Sequence, residues 1–306
     1  VRTGRAGVVS TETRVCLLDA SLYIFRAWHS LPPDWRDPEG WPTHAVHGFT
    51  HTLLQVLEQL RPQALAVCFD EALTSSFRNT IYPAYKANRE PPDEALLRQF
   101  GHCQAIARAL GLTVLADHEY EADDLIGSLS ASARAAGRGV LVLSADKDLA
   151  QLIDDGDELW DFGRDRRFDR AGIREHFGVE PEQIADLLAL AGDAIDNIPG
   201  VRGIGQLTAA KLLRHFGSLE SLYARLAEVP FLSLRGAKSI AVKLAEQREL
   251  AFLSQRLTRI ALDAPVPPPD ALAPAAPDIE ALGRIFDRLG FGPFLRRRAE
   301  KLAVRS

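Results

Sequence analysis

Three short apolar runs, each closing on an aspartate, constrain the fold more tightly than any other feature. They are Arg14-Val-Cys-Leu-Leu-Asp19, Ala64-Leu-Ala-Val-Cys-Phe-Asp70 and Gly139-Val-Leu-Val-Leu-Ser-Ala-Asp146. Runs this short and this apolar read as buried strands, and the stretches 45–59, 96–110 and 123–136 between them carry apolar residues at helical spacing. Strands alternating with helices predict an α/β fold with a largely parallel sheet. Ligands of such sheets bind beyond the carboxyl ends of the strands, so Asp19, Asp70 and Asp146 are expected at one edge.

The chain has 306 residues, 46% hydrophobic and 25% charged, which excludes a disordered or collagen-like molecule and suggests about two domains. Three cysteines cannot frame a disulfide-rich fold, and Cys16 and Cys68 sit in apolar runs, as expected in a reducing compartment. No run reaches the roughly 18 apolar residues of a membrane span, and Val1 to Thr13 lacks the apolar middle of a signal peptide. The expectation is a cytoplasmic monomer without a membrane partner. Nothing in the sequence explains the absence of Met. The formal charge of −5 hides an uneven distribution: residues 201–259 hold ten Lys/Arg against four Glu, so an acidic body precedes a basic last third.

Residues 1–13 read as a tail and 14–174 as the α/β core. The segment from Arg78, rich in Pro, Tyr and charge, is too polar for core and should project. From Pro181 the pattern is helical, giving a second domain over 175–306. Within it, Pro265 to Pro277 reads as a stiff linker and Ile279 to Leu302 as a final amphipathic helix. The charged stretch Asp161 to Phe168 has no role assigned.

The carboxylates carry the chemistry. In extended chain Asp146 and Asp148 point to one side and can share a metal. Glu121 and Asp123 converge only if Glu121 lies in the loop before a helix. Asp193 and Asp196, spaced i, i+3, share a face if the preceding helix persists. Asp124 suits helix capping. If Asp19, Asp70, Glu121, Asp123, Asp146, Asp148, Asp193 and Asp196 gather, their repulsion requires cations, and all-oxygen ligands select Mg²⁺ or Mn²⁺. Two such ions would clamp an in-line phosphoryl displacement, which makes phosphodiester hydrolysis the reaction class. A single aspartate at a strand end is more often a cap or turn former, and the residues alone leave both readings open.

Gly200, Gly203 and Gly205 precede an amphipathic helix containing Lys211, as in helix-hairpin-helix elements, where glycines let a backbone approach phosphate. A tight interhelical turn fits that spacing equally well, and the surrounding positive charge favours DNA. Lys86 and Arg89 would share a face if 83–89 were helical, with Tyr85 near to stack on a base.

The ordered motifs VCLLDAS (15–21), CFDEA (68–72), FRNTIYPAYKANR (77–89), YEADDLIG (120–127), LSADKDLAQL (143–152) and GDAIDNIPGVRGIG (192–205) resemble the 5′ nuclease family (5′→3′ exonuclease, flap endonuclease-like), specifically the 5′ nuclease domain of bacterial DNA polymerase I. The resemblance implies a PIN-like nuclease core, a helical arch at about 78–101, and a helix-three-turn-helix at 198–211 that holds duplex DNA. It implies two Mg²⁺ ions, with Mn²⁺ as a substitute: the first among Asp19, Asp70, Glu121, Asp123 and Asp146, the second among Asp148, Asp193 and Asp196. Lys86 and Arg89 become catalytic arch residues, and Arg78, Tyr85, Gly200, Arg202, Gly203, Gly205 and Lys211 become DNA contacts, with K⁺ on main-chain carbonyls of the hairpin. Substrates would be 5′ flaps, nicked or gapped duplexes and RNA–DNA hybrids, and a separate DNA polymerase a partner. Leu207 stands where the family usually has Lys, which removes one phosphate contact. The rivals are a non-catalytic DNA junction-binding protein and a carboxylate-metal phosphohydrolase of small molecules.

Overall fold

The computed structural model describes residues 14–71 and 75–304; the expected tail lies outside the described residues. The body is built from β1 (Arg14–Asp19), α1 (Ala20–Ser30), α2 (His44–Leu60), β2 (Leu65–Asp70), α3 (Phe77–Ile81), α4 (Glu94–Ala109), β3 (Thr113–Asp117), α5 (Ala122–Ala135), β4 (Gly139–Leu143), β5 (Glu158–Asp161) and β6 (Arg166–Phe168). The strands form one sheet in the order β3-β2-β1-β4-β5-β6, parallel except for β6. Alternation of side chains across the strands explains why the central runs are apolar throughout. Val15, Leu17, Cys68, Val140 and Val142 bury against α5 and the helical domain, while Cys16, Leu18, Val67, Leu141 and Leu143 bury against α1, α2 and α4.

Two parts of the sheet escape the sequence pattern. Strand β3 is a half-exposed edge, and its apolar stretch, Val114 to Ala116, is only three residues long. It also ends at an aspartate, but Asp117 accepts the Glu119 and Tyr120 N–H groups and forms a turn. The charged stretch 161–168 is the β5–β6 hairpin. Arg26 pairs with the buried Asp161 at 2.8 Å, and Arg167 lies 3.6 Å above the Trp160 ring. Charge on this edge discourages pairing with another chain.

Helices α6 (Arg170–Phe177), α7 (Ile184–Ala191), α8 (Gln206–Phe216), α9 (Leu219–Ala224), α10 (Ala237–Glu246) and α11 (Arg248–Thr258) follow. The expected linker is not a spacer, because its main chain bonds the body: Ala275 N–H donates to Gly111 C=O at 2.9 Å and, directly after the linker, Asp278 N–H donates to Ala109 C=O at 2.8 Å. The expected single last helix is two, α12 (Ile279–Arg288) and α13 (Pro293–Ala303), broken where Gly290 takes φ 67° and Pro293 starts the next helix. Both pack in the layer of α2 and α4, with Arg298 on Glu58 at 2.8 Å. They therefore complete the α/β body, which corrects the expected 175–306 boundary.

At Gly111 the backbone has φ 77°, and a Cβ there would lie 2.2 Å from the Ala275 carbonyl oxygen. Gly111→Ala is expected to cost about 2–4 kcal/mol in urea unfolding, combining left-handed strain with a backbone clash. An unchanged midpoint would show that the 265–277 segment is not held where described.

Candidate active site

Because β1, β2 and β4 run parallel, their carboxyl ends lie side by side, and each presents an acidic group with a defined local anchor. Asp19 caps α1 through Leu22 N–H at 3.1 Å and accepts the Ser144 hydroxyl at 2.8 Å. Asp70 accepts the Ala122 N–H at 2.7 Å, which fastens β2 to the start of α5. Beyond β4 the chain does not stay extended. Asp148 opens a 3₁₀ turn, and its N–H donates to Asp146 Oδ1 at 2.9 Å. A turn therefore sets the relation of these two aspartates, where extended chain was expected.

Glu121 meets the condition set for it: it is the extended cap residue before α5, while Asp123 lies in the first turn. Asp193 and Asp196 do not share a helix face, since α7 ends at Ala191. They sit on a turn closed by a bridge between Asp193 and Ile198, with Asn197 at φ 56°. That turn faces Lys147, whose ammonium lies 2.8 Å from Asp193, and Arg89, which pairs with Asp196. Lys86 lies 2.9 Å from Glu121 and 4.0 Å from Asp196.

The remaining carboxylates, Asp19, Asp70, Asp123, Asp146 and Asp148, have no ion-pair partner among the described residues. They feel one another. Burial, then the Asp70 and Asp146 charges, raise Asp19 to about 7. Burial, then Asp146, Asp19, Asp70 and Asp148, push Asp123 far above the usual carboxylate range. Asp148 rises for the same reasons, burial first and then Asp146. Among the described residues no three acidic, His or Cys side chains stand at ligating separation. The donor set nonetheless suits a hard divalent cation: it is all oxygen, buried to half-buried and over-charged, and Asp148 Oδ1 is itself buried with no hydrogen-bond partner.

Of the segment expected to project as a helical arch, 78–81 belong to α3 and 94–101 to α4, but the chain between them lies down over this edge as turns. Lys86 N–H donates to Asp196 C=O at 3.0 Å, and the Asn88 and Asn197 amides bond Ala194 and Ala84 carbonyls. Residues 83–89 are not helical, and Lys86 takes φ 54°. Two of its expected DNA contacts are corrected. Arg78 is 2% exposed and Tyr85 4% exposed. The Arg78 guanidinium binds Asp124 twice at 2.7 Å, while the Tyr85 hydroxyl, held protonated by burial and the Glu121 charge, donates to Glu121 at 3.0 Å. Asp124 caps α5 by accepting the Glu121 N–H at 3.0 Å.

A cavity of about 750 Å³ reaches from Asp70, Glu121, Lys86 and Arg89 to Phe25, Trp28 and His29 on α1. Sequence reasoning missed this aromatic wall. Its signal is that Phe25, Trp28 and His29 fall off the buried stripe of Ala20, Tyr23, Ile24 and Ala27.

At the hairpin, Gly205 is the cap of α8 and provides no side chain to the helix's first N–H groups, and Arg202, Gly203 and Lys211 are exposed beside it. Leu207, also there, is 83% exposed. Gly200 is corrected as a DNA contact. It is buried, its N–H donates to Ser254 at 3.1 Å, and a Cβ would lie 2.3 Å from the Gly192 nitrogen. Its role is a close backbone crossing at φ 61°.

Family models of the 5′-3′ exonuclease N-terminal resolvase-like domain and the 5′-3′ exonuclease C-terminal SAM fold match residues 14–178 and 179–280. DNA polymerase I of Pseudomonas aeruginosa is 43% identical over 290 residues, 93% of this chain and 31% of that protein. The chain thus spans about a third of that relative. A 5′-3′ exonuclease of Buchnera aphidicola is 34% identical over 82% of this chain and 88% of its own length. Among solved structures, T5 5′-exonuclease with zinc bound superposes with a TM-score of 0.67 at 19% identity, covering 94% of this chain and 98% of that one.

A carboxyl whose folded pKa is raised stabilises the fold below its unfolded value and loses that contribution as pH climbs through the folded value. For Asp19 the window runs from about 3.8 to about 7. In EDTA, the stability of the wild type relative to Asp19→Asn is therefore expected to fall as pH rises from 4 to 7, read by urea unfolding, and added Mg²⁺ should reverse the fall. A pH-independent difference would contradict the crowding of charge at Asp19.

Proposed function

The chain belongs to the 5′-3′ exonuclease family, and on that premise we propose that it is a metal-dependent, structure-selective DNA 5′ nuclease. Its substrates are 5′ flaps, nicked or gapped duplexes and RNA–DNA hybrids, with a DNA polymerase as partner. The observation that carries this reading is the set of five carboxylates, Asp19 buried and Asp70, Asp123, Asp146 and Asp148 half-buried, that have no ion-pair partner among the described residues at one sheet edge, next to Lys86 and Arg89.

Asp19, Asp70, Glu121, Asp123 and Asp146 would hold one Mg²⁺, and Asp148, Asp193 and Asp196 a second, with Mn²⁺ able to substitute. When bound, such a pair supplies an activated water and charge neutralisation at phosphorus. The protein's own part is positioning and electrostatics. Lys86 and Arg89 exchange carboxylate partners for the scissile phosphate and stabilise the charge that develops on it. Phe25 and Trp28 offer faces on which an unpaired base of the 5′ strand can stack. Arg202, Lys211 and the open N-terminus of α8 hold the duplex backbone, with K⁺ on nearby main-chain carbonyls.

Asp146→Ala or Asp148→Ala is expected to reduce cleavage of a labelled 5′ flap in Mg²⁺ by at least about 100-fold, with unfolding and flap binding in EDTA little changed. Wild-type turnover in either variant would refute the site. A DNA junction binder without chemistry would show no EDTA-sensitive cleavage at all. A small-molecule phosphohydrolase would turn over a generic phosphomonoester and bind DNA with little response to salt.

Leu207→Lys tests the hairpin. It should tighten flap binding at low salt and steepen the dependence of log K on log salt by about one, the value of one added phosphate contact. An unchanged slope would move the duplex off α8.

A further inference from the structure

Arg78 offers every N–H of its guanidinium to groups from two distant parts of the chain. Nε donates to the Leu257 carbonyl at 2.8 Å and Nη2 to the Arg259 carbonyl at 2.9 Å. The two Nη atoms hold both Asp124 oxygens at 2.7 Å, and Nη1 reaches Glu121 at 3.5 Å. These partners lie 43 to 181 residues from Arg78. Asp124 in turn accepts the Ala261 N–H at 2.8 Å and the Glu121 N–H at 3.0 Å.

Leu257 and Arg259 end α11, where carbonyls lack helical partners and the helix dipole is negative, so a buried cation is well placed there. The same helix holds the hairpin. Ser254 accepts the Gly200 N–H at 3.1 Å, and Gln247, which precedes α11, accepts the Arg202 N–H at 2.8 Å. One side chain therefore joins the end of the helix that bonds the hairpin to Asp124 and Glu121 at the start of α5. A planar fork suits five acceptors in one place; an ammonium on a flexible stem would satisfy at most part of them.

We propose that Arg78 is a positioning residue for the candidate metal centre, fixing Glu121 and the start of α5 against the end of α11. This rests on the nuclease reading above. Partners that orient metal-binding groups change metal affinity when removed, which a role in stability alone does not require.

The test uses the full chain with Arg78→Lys and Asp124→Asn; the second removes the charge pair while keeping an acceptor for the Glu121 N–H. Mn²⁺ binding without DNA is followed by the electron paramagnetic resonance of free Mn²⁺, and kcat and KM are measured on a 5′ flap. The expected result in both variants is Mn²⁺ affinity lower by about 10–100-fold, a lower kcat and a KM within about twofold of wild type. If Arg78→Lys does not fold, Asp124→Asn alone carries the measurement. Mn²⁺ affinity within twofold of wild type in every folded variant overturns the proposal, whatever happens to the unfolding midpoint. A wild-type chain that binds Mn²⁺ but does not cleave flaps would sink the nuclease reading and leave the Mn²⁺ comparison to judge Arg78. A wild-type chain that binds no Mn²⁺ overturns both.

Discussion

Like charges at the end of a buried sheet are the constraint on which the rest of the molecule turns. Asp19 and Asp70 end strands, Asp146 and Asp148 follow another, and Asp123 opens a helix over the same edge. Taking one carboxylate from water is costly, and crowding several multiplies the cost through mutual repulsion. The surroundings lower it in every way the chain allows. Main-chain N–H groups of Leu22, Ala122 and Asp148 bond three of these carboxylates, and Lys86, Arg89 and Lys147 pair with the outer ones. Protonation absorbs part of what remains, as the raised Asp19 and Asp123 indicate. A fold selected for stability alone would hold apolar groups here, which is why the excess charge reads as chemistry.

The parallel sheet makes this concentration possible. Its central strands are covered on both faces, so their ends are fixed by packing on α5 and the helical domain on one side and α1, α2 and α4 on the other. Helices α12 and α13 belong to that support, although they come last in the chain. Acidic groups that would drive a loosely held loop apart are kept together because the strands beneath them cannot separate.

Much of this was legible in the sequence where a residue's environment follows from periodicity. The three apolar runs gave β1, β2 and β4, the intervening periodicities gave α2, α4 and α5, and the acidic positions fell at the same edge. What escaped depends on contacts between residues far apart. An arginine is exposed by default, and nothing near Arg78 signals burial, because its partners Asp124 and Leu257 come 46 and 179 residues later. Tyr85 is hidden for a like reason, beneath Ile198 and Leu257. Gly200 looks like a phosphate-binding glycine until Gly192 is seen crossing against it. The relation of Asp146 to Asp148 failed differently: two residues of spacing permit extended chain or a turn, and the hydrogen bond that selects the turn is local but invisible in residue types. Strand β3 was lost because its unbroken apolar stretch, Val114 to Ala116, is only three residues long.

The same long-range contacts connect the two halves of the protein. Gln247 at the start of helix α11 and Ser254 within it hold the hairpin main chain, and the helix's last carbonyls meet the guanidinium that pairs with Asp124. Separate anchoring of hairpin and acidic edge would let a duplex bind in many registers relative to the reacting centre. A helix bonded at both ends fixes one spacing, and a misplacement of an ångström at a phosphate is costly in rate. On the nuclease reading, selection among DNA structures then needs no contact with base edges: a substrate reacts when a duplex on the hairpin and a single strand in the cavity can be joined across the span that α11 sets.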